Sequence, residues 1–306
     1  MNLRDLNYLI AVADLRHFGQ AAERCFVSQP TLSGQIKKLE EELGVVLFER
    51  TKRSVELTAI GEAIVEQARN VLEQADALKH IALSHQDPMI GPLRMGAIPT
   101  LSPYLMPLIL KPLRKRYPQL KLVLSEEYTD TLLTRLSHHE IDAALLATEV
   151  DEPEFESIPL FDEPFWLAHP RSHRFADKKE IKQIDLNRAD LLLLSEGHCF
   201  AEQAMAVCHM KKRDVQSDMA DLRAASLETL LQMVAAGFGC TLLPALALRA
   251  GLAKDRGIIA RQLELPDTFR RVSLVYRRTF PRTQALEAFA ELVCEKLPDT
   301  VRPLLS

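Results

Sequence analysis

Ser28-Gln29-Pro30-Thr31-Leu32-Ser33-Gly34-Gln35-Ile36-Lys37-Lys38-Leu39-Glu40-Glu41-Glu42-Leu43-Gly44 reads as one helix that carries its own start and stop signals. Ser28 is an N-cap residue, Pro30 falls in the first turn where a missing N–H costs nothing, and Gly44 suits a left-handed stop. Leu32, Ile36, Leu39 and Leu43 recur at helical spacing and predict the buried stripe. The opposite arc then holds Pro30, Gly34, Lys37 and Lys38, with Thr31 and Ser33 on its flanks. Lysines suit phosphate contacts, hydroxyls suit base edges or phosphates, and Gly34 leaves bare backbone. Glu40, Glu41 and Glu42 would repel a duplex over the C-terminal half, so the N-terminal half is the part expected to enter a groove.

Upstream, Leu6, Leu9, Ile10 and Ala13 outline a first helix, and a short helix over 20–25 brings Ala21 and Ala22 to a close crossing. Downstream, two β-runs at 46–49 and 55–57 are joined by Arg50-Thr51-Lys52-Arg53-Ser54, whose cations would meet flanking phosphate or the minor groove. Residues 1–58 are therefore expected to form a winged helix-turn-helix. A solvated protein-interaction bundle remains open at this point, since the motif serves several ends.

Thr58 caps a proline-free helix over 59–83, in a linker region of 59–87. Its apolar residues Ile60, Ile64, Ala68, Val71, Ala75, Leu78 and Ala82 step by three or four. One narrow seam with polar faces needs a partner helix, either a second copy of this chain or its own domain. Beyond a polar, proline-bounded stretch at 84–92 the pattern alternates: strand 93–98, helix 102–117, strand 120–125, helix 130–137, strand 141–146. This order predicts a parallel sheet with helices on its faces. Further strands at 191–194, 239–243 and 272–276 and helices at 227–236 and 283–296 extend 88–306 to two α/β, Rossmann-like subdomains joined by crossing strands. The first would span about 88–163 and 268–306, the second about 164–267.

Composition limits the rest. At 306 residues the chain exceeds one core. The balance of 38 Lys plus Arg against 42 Asp plus Glu, net −4, places any nucleic-acid binding in local clusters. The longest apolar stretch, 234–248, is broken by Gly237, Gly239 and Pro244, so no membrane span is expected. Met1-Asn2-Leu3-Arg4-Asp5 lacks the apolar core of a secretory signal, and a cytoplasmic location is expected. No metal-ligand spacing or phosphate loop occurs, so no metal and no cofactor are expected.

Five cysteines are too few for a disulfide framework. Cys25, Cys240 and Cys294 read as small buried residues. Thr100 and Thr129 follow neighbouring strands, where ligands gather in α/β sheets, and could converge on one small polar ligand or serve as plain N-caps. Cys199 follows strand 191–194, and its thiol would be more acidic at a helix N-terminus or beside a protonated His198. Cys208 lies nine residues on. Sharing one helix, the two Cα atoms would stand about 13.5 Å apart, whereas a disulfide needs roughly 4.4–6.8 Å. Two inert cysteines and a switch that must unwind are both compatible with that spacing.

Phe18, Ala21-Ala22, Val27 through Ser33, Ile36, Leu39-Glu40, Leu43-Gly44 and Leu47-Phe48-Glu49-Arg50 together resemble the N-terminal signature of LysR-type transcriptional regulators. The resemblance extends over the whole chain. It implies a winged helix, a linker helix and a periplasmic-binding-protein-like effector domain, with Gln29, Pro30, Thr31, Ser33, Gly34, Lys37, Lys38, Arg50, Lys52 and Arg53 toward promoter DNA. Gly197-His198-Cys199, Gln203-Ala204-Met205, Cys208, residues 226–230, residues 233–237 and Leu243-Pro244 look like the peroxide-sensing branch of that family. That resemblance implies that Cys199 reacts with hydrogen peroxide, that Cys208 resolves it as a disulfide, and that Thr100, Thr129 and His198 position the peroxide. It further implies a non-enzymatic activator acting as a dimer of dimers, with RNA polymerase as partner and thioredoxin or glutaredoxin as reductant. Some relatives carry Arg-Asp where this chain has Ala201-Glu202, which moves thiolate stabilisation to helix-end amides, His198 and the threonines. A LysR-type regulator of a small carboxylate and a thiol peroxidase are the rival readings; a periplasmic binding protein is disfavoured by the missing signal.

Overall fold

The computed structural model describes residues 1–50, 55–84, 89–187, 189–210, 223–249, 251 and 257–304. It divides into two compact units, Met1–Asp87 and Pro88–Ser306.

In the first unit α1 (Leu3–Leu15), α2 (Phe18–Arg24) and α3 (Gln29–Leu43) close a core around Leu9, Val12, Ala21, Leu32 and Ile36. The quoted helix obeys its local signals. Ser28 Oγ accepts from Thr31 N at 3.3 Å, Pro30 sits in the first turn, and Gly44 closes the helix at φ 70°. The second helix starts two residues earlier than the sequence suggests, because His17 Nδ1 accepts from Gln20 N and acts as the cap. The wing strands are β1 (Phe48–Arg50) and β2 (Val55–Leu57), paired antiparallel. The first is shifted from the expected 46–49. Glu40 Oε1 accepts from Leu47 N at 2.9 Å, so that backbone donor is taken by a side chain before strand pairing begins at Phe48.

Thr58 caps α4 (Ala59–Ser84) twice over: its hydroxyl accepts from Gly61 N and donates to Val46 O. Part of the apolar seam of α4 is covered within its own unit. Ala68, with Val65, is buried in the first unit's own core, while Ile60, Val71 and Leu78 stay 37–70% exposed. The covered positions of this 26-residue helix are Ile64, Val65, Ala68 and Leu72, which pack on the first unit's core.

The second unit opens with β3 (Gly91–Ala97), α5 (Ser102–Arg116), β4 (Leu120–Glu126), α6 (Thr129–Ser137) and β5 (Ala143–Leu146). A 16-residue strand, β6 (Phe155–Pro170), leads to the short α7 (Gln183–Leu186) and to α8 (Cys199–Val207). Then follow α9 (Leu227–Ala235), β7 (Thr241–Pro244), α10 (Ala245–Arg249), β8 (Ile258–Gln262), β9 (Phe269–Arg277), α11 (Thr283–Lys296) and β10 (Arg302–Pro303). The expected all-parallel sheet is mixed. β3 pairs in parallel with β4 and β5, but β9 returns antiparallel to β5 and to β6. The expected strand 191–194 makes only isolated bridges, to Cys240 and Ala224.

β6 explains why one chain segment serves two cores. Phe155, Leu160 and Phe161 enter the first core of this unit, and Phe165, Leu167 and Ala168 enter the second. Residues 155–164 pair with β9, and residues 165–170 pair with β7 and β8. Sequence inspection passes over it because Pro159 and Pro164 argue against a paired strand. A register shift between Pro159 and Phe161 accommodates the first of them. No helix among the described residues is long and apolar enough to cross a membrane.

Candidate functional site

The site is built on the entry to α8. Gly197 turns the chain at φ 95°, a conformation that favours glycine, and a Cβ there would come within 3.3 Å of the Tyr128 ring. His198 takes the N-cap position, and Cys199 is the first residue of the helix. The His198 ring is 5% exposed, edge-on to Tyr128 at 4.7 Å, with Nε2 3.2 Å from the Ala225 carbonyl. Burial holds its pKa below the usual histidine value. A neutral ring turned toward Ala225 is not the protonated neighbour that the sequence offered for the thiolate.

Cys199 is half-buried against the first core. Burial pushes its thiol up, and that outweighs three opposing influences: the Arg270 guanidinium, the Thr129 hydroxyl, and the amides of the first turn. The resting residue is therefore a thiol poised beside groups that favour its anion. The stabilising cation missing at Ala201 comes instead from Arg270, at the start of β9, which sequence reasoning did not find. Arg270 Cζ lies 5.5 Å over the Phe200 ring, one residue after the cysteine. Its only trace in the sequence is a pair of doublets, Asp162-Glu163 and Arg270-Arg271, which become partners once β6 and β9 pair in register.

The two threonines are placed differently from each other. Thr100, 3% exposed, accepts from Arg270 Nη1 through Oγ1 at 2.8 Å and from Nη2 through its carbonyl at 3.0 Å. Thr129 is the first residue of α6, and its buried hydroxyl has no oxygen or nitrogen partner among the described residues. It faces the Cys199 sulfur. Neither is an N-cap: Leu101 and Tyr128 hold those positions. Nor do they line one cavity. Thr129 and Cys199 border a cavity of about 450 Å³, while Thr100 borders another of about 730 Å³; His198 belongs to both.

Cys208 ends the same helix as its C-cap and is fully buried in the second core. Burial alone pushes its thiol to about 12. The two sulfurs thus belong to opposite ends of one helix and to different cores. Gln203, midway between them, donates from Nε2 to the Ala147 carbonyl at 2.6 Å and ties α8 to the loop after β5. Of the other cysteines, Cys240 is buried as expected, whereas Cys25 and Cys294 are only partly covered.

On α3, Gln29, Pro30, Thr31, Gly34, Lys37 and Lys38 are exposed and Ser33 is half-covered. Leu32, Ile36 and Leu39 face inward. The Thr31 hydroxyl is shared with Ser28 Oγ at 2.8 Å, and a Cβ at Gly34 would meet nothing within 4 Å. The three glutamates are occupied: Glu40 on the wing, Glu41 with Lys37 at 3.7 Å, and Glu42 with the N-terminal amine. Lys52, Arg53 and the Arg50 side chain lie outside the described residues.

Known proteins give the same division. Residues 3–62 match the bacterial regulatory helix-turn-helix protein of the lysR family, and residues 86–298 match the LysR substrate binding domain. The chain is 44% identical over 297 residues to a hydrogen peroxide-inducible genes activator of Dickeya chrysanthemi, covering 97% of this chain and 96% of that one. It is also 44% identical over 293 residues to the DNA-binding transcriptional dual regulator OxyR of Escherichia coli K12, covering 96% and 95%. A full-length OxyR cysteine-to-aspartate variant from Pseudomonas aeruginosa superposes with a TM-score of 0.81 at 39% identity, over 100% of this chain and 98% of that one. A Corynebacterium glutamicum OxyR cysteine-to-serine variant, H2O2-bound, gives 0.65 at 33% identity, over 96% and 92%. With both family domains matched and its relatives aligned nearly end to end, the chain belongs to the LysR family of transcriptional regulators, in its OxyR group.

Proposed function

We propose that the protein is a DNA-binding transcriptional regulator that hydrogen peroxide switches through a reversible Cys199–Cys208 disulfide. The observation that carries this reading is α8 itself, with one cysteine at each end of a nine-residue helix and each sulfur in a different core. The Cys199 thiolate attacks one peroxide oxygen, the O–O bond breaks, and the departing hydroxide takes a proton to leave as water. Cys199 becomes a sulfenic acid, two electrons oxidised. The Cys208 thiolate then attacks the Cys199 sulfur, the S–O bond breaks, and a second water leaves. The sum is two thiols and one H2O2 giving one disulfide and two waters.

Thr129 supports the first step, since its buried hydroxyl has no other partner and can hold a peroxide oxygen. Thr100 and His198 complete the positioning set from the other side of the α8 entry. The second step cannot occur in the helix. Cys208 must leave its core, which removes the burial that holds its thiol near 12 and lets a usable fraction ionise. Refolding of this segment is the two-state element, and its readout is a change in how effector domains pair and where the winged helices rest on DNA. A dimer of dimers, joined in part through the exposed Ile60, Val71 and Leu78 of α4, fits that readout. Gln29, Pro30, Thr31, Ser33, Gly34, Lys37 and Lys38 would meet promoter DNA, with Arg50, Lys52 and Arg53 on the wing. RNA polymerase would be recruited there, and thioredoxin or glutaredoxin would return the dithiol.

Footprinting on a candidate promoter, with reduced protein, peroxide-treated protein and Cys199→Ser in parallel, tests the reading. Thiol-labelling mass spectrometry accompanies it. The expected result is a footprint that changes on oxidation only when Cys199 is present, with one Cys199–Cys208 bond formed. Thiols unchanged by stoichiometric peroxide would overturn the sensor. Sustained peroxide turnover with a thiol reductant and no footprint would favour a peroxidase instead.

A further inference from the structure

Glu163 is a fully buried carboxylate at the point where β6 passes from one core to the other, between Phe161 and Phe165. Its cross-strand neighbour on β9 is Arg270. Both Nε and Nη2 of Arg270 lie within 2.9 Å of Glu163 Oε2, and the pair is 0–1% exposed. The remaining carboxylate oxygen, Oε1, accepts from Leu246 N at 2.8 Å, at the start of α10. Nη1 donates to Thr100 Oγ1 and Nη2 also donates to the Thr100 carbonyl, and the guanidinium face lies on Phe200. A cation held this way is fixed in place beside its counter-ion. The charge beside the Cys199 sulfur is thus half of a neutral pair. The field of such a pair falls off faster with distance than that of a lone charge.

We propose that Glu163 is a positioning residue of the sensor: by holding and neutralising Arg270 at the first turn of α8, it limits how much thiolate Cys199 carries and so sets the oxidant threshold. Buried ion pairs are poor stabilisers relative to apolar replacements of equal volume, so a pair at the junction of two cores calls for a reason beyond stability. The other groups facing this cluster are Thr129 from α6, neutral His198, and Tyr104 from α5. The Tyr104 phenol is pushed to about 12 by burial and by Glu228. The mouth of the cysteine cavity carries Asp130, Glu149, Glu152, Glu196, Glu202 and Arg223, and these are the same in every variant below.

The inference rests on Cys199 being the peroxide-reactive thiol, and its test is made without peroxide so that the two can fail separately. The rate of Cys199 alkylation by iodoacetamide is followed from pH 5 to 10 in the full-length protein by mass spectrometry of the Cys199 peptide. In Glu163→Gln the lone guanidinium favours the thiolate. The midpoint is expected to fall by about one pH unit, a roughly tenfold gain in thiolate fraction at neutral pH. In an Arg270→Met background the same Glu163→Gln change is expected to move nothing, because the effect passes through Arg270. Should Glu163→Gln not fold, Glu163→Asp keeps the charge but withdraws it by one carbon, and is expected to shift the midpoint in the same direction by about threefold in thiolate fraction. A midpoint unchanged or raised in a folded Glu163 variant would overturn the proposal. So would an equal shift in the absence of Arg270. A lowered midpoint in a protein that ignores peroxide would leave this inference standing and remove the proposed function.

Discussion

Replacing Ala206 by glycine tests whether α8 must come apart for the disulfide to form. Ala206 is in the helix between the two thiols, and its side chain is exposed, so the substitution removes no core contact. Glycine in a helix costs about 0.5–1 kcal/mol relative to alanine, through the extra backbone freedom it must give up. That cost falls on the reduced state alone if the oxidised segment is no longer helical. The equilibrium then moves toward the disulfide by about two- to fivefold. For a two-electron couple at about 30 mV per 1.4 kcal/mol, the reduction potential becomes more negative by roughly 10–20 mV. Gln203→Ala acts in the same direction by cutting the 2.6 Å bond to Ala147 O, with about 1 kcal/mol at stake. The two should not add fully, because they loosen one helix. The assay is equilibration against a series of thioredoxin or glutathione redox buffers, with alkylation and mass spectrometry of the 199–208 segment. A potential that stays put, or moves in the positive direction, would mean that the helix survives oxidation and that the unwinding argument is wrong.

Lys37→Gln and Lys38→Gln should each weaken DNA binding and lower the slope of log affinity against log salt by about 1. Melting should be unchanged, since both side chains are exposed; an unchanged slope would remove that lysine from the interface. In the reduced protein at pH 8, Cys199 should alkylate well before Cys208, whose burial pushes its thiol to about 12. Urea should erase the difference, and equal rates without urea would contradict the buried Cys208. His169 is fully buried on β6, and burial lowers its pKa despite the bond to Pro170 O. A lowered folded value means the fold favours the neutral ring. The stability it contributes is present above the unfolded value of about 6.5 and is lost as pH falls through the lower folded one. His169→Gln should therefore lose less melting temperature than the parent between pH 7 and 5, and an equal loss would refute this. Gly61→Ala should destabilise the first unit by about 1–3 kcal/mol, since a Cβ there would collide with the Leu47 carbonyl. An unchanged melting temperature would show that the α4 start can shift.

Much of the fold was written in short-range signals. The cap at Ser28, the stop at Gly44, the inward set of Leu32, Ile36 and Leu39, and the bounds of α11 could be read directly, because each depends on residues a turn or two apart. That Cys199 opens a helix which Cys208 caps was only one of the arrangements the nine-residue spacing allowed, and the structure decides for it. β6 was not legible, because its prolines and acidic residues look wrong until β9 supplies a partner and a register shift absorbs Pro159. The electrostatics of the thiol were likewise hidden. Sequence adjacency suggested His198 as the charged neighbour, yet the ring is neutral and bonded to Ala225. The cation comes from Arg270, 71 positions on from Cys199 by their numbers, and its own partner Glu163 lies 107 residues back along the chain. Local pattern decides where a helix begins and which face it buries. Which charge stands beside which sulfur, and whether that sulfur is dry enough to keep its proton, is a matter of strand pairing and burial, and those exist only once distant segments have met.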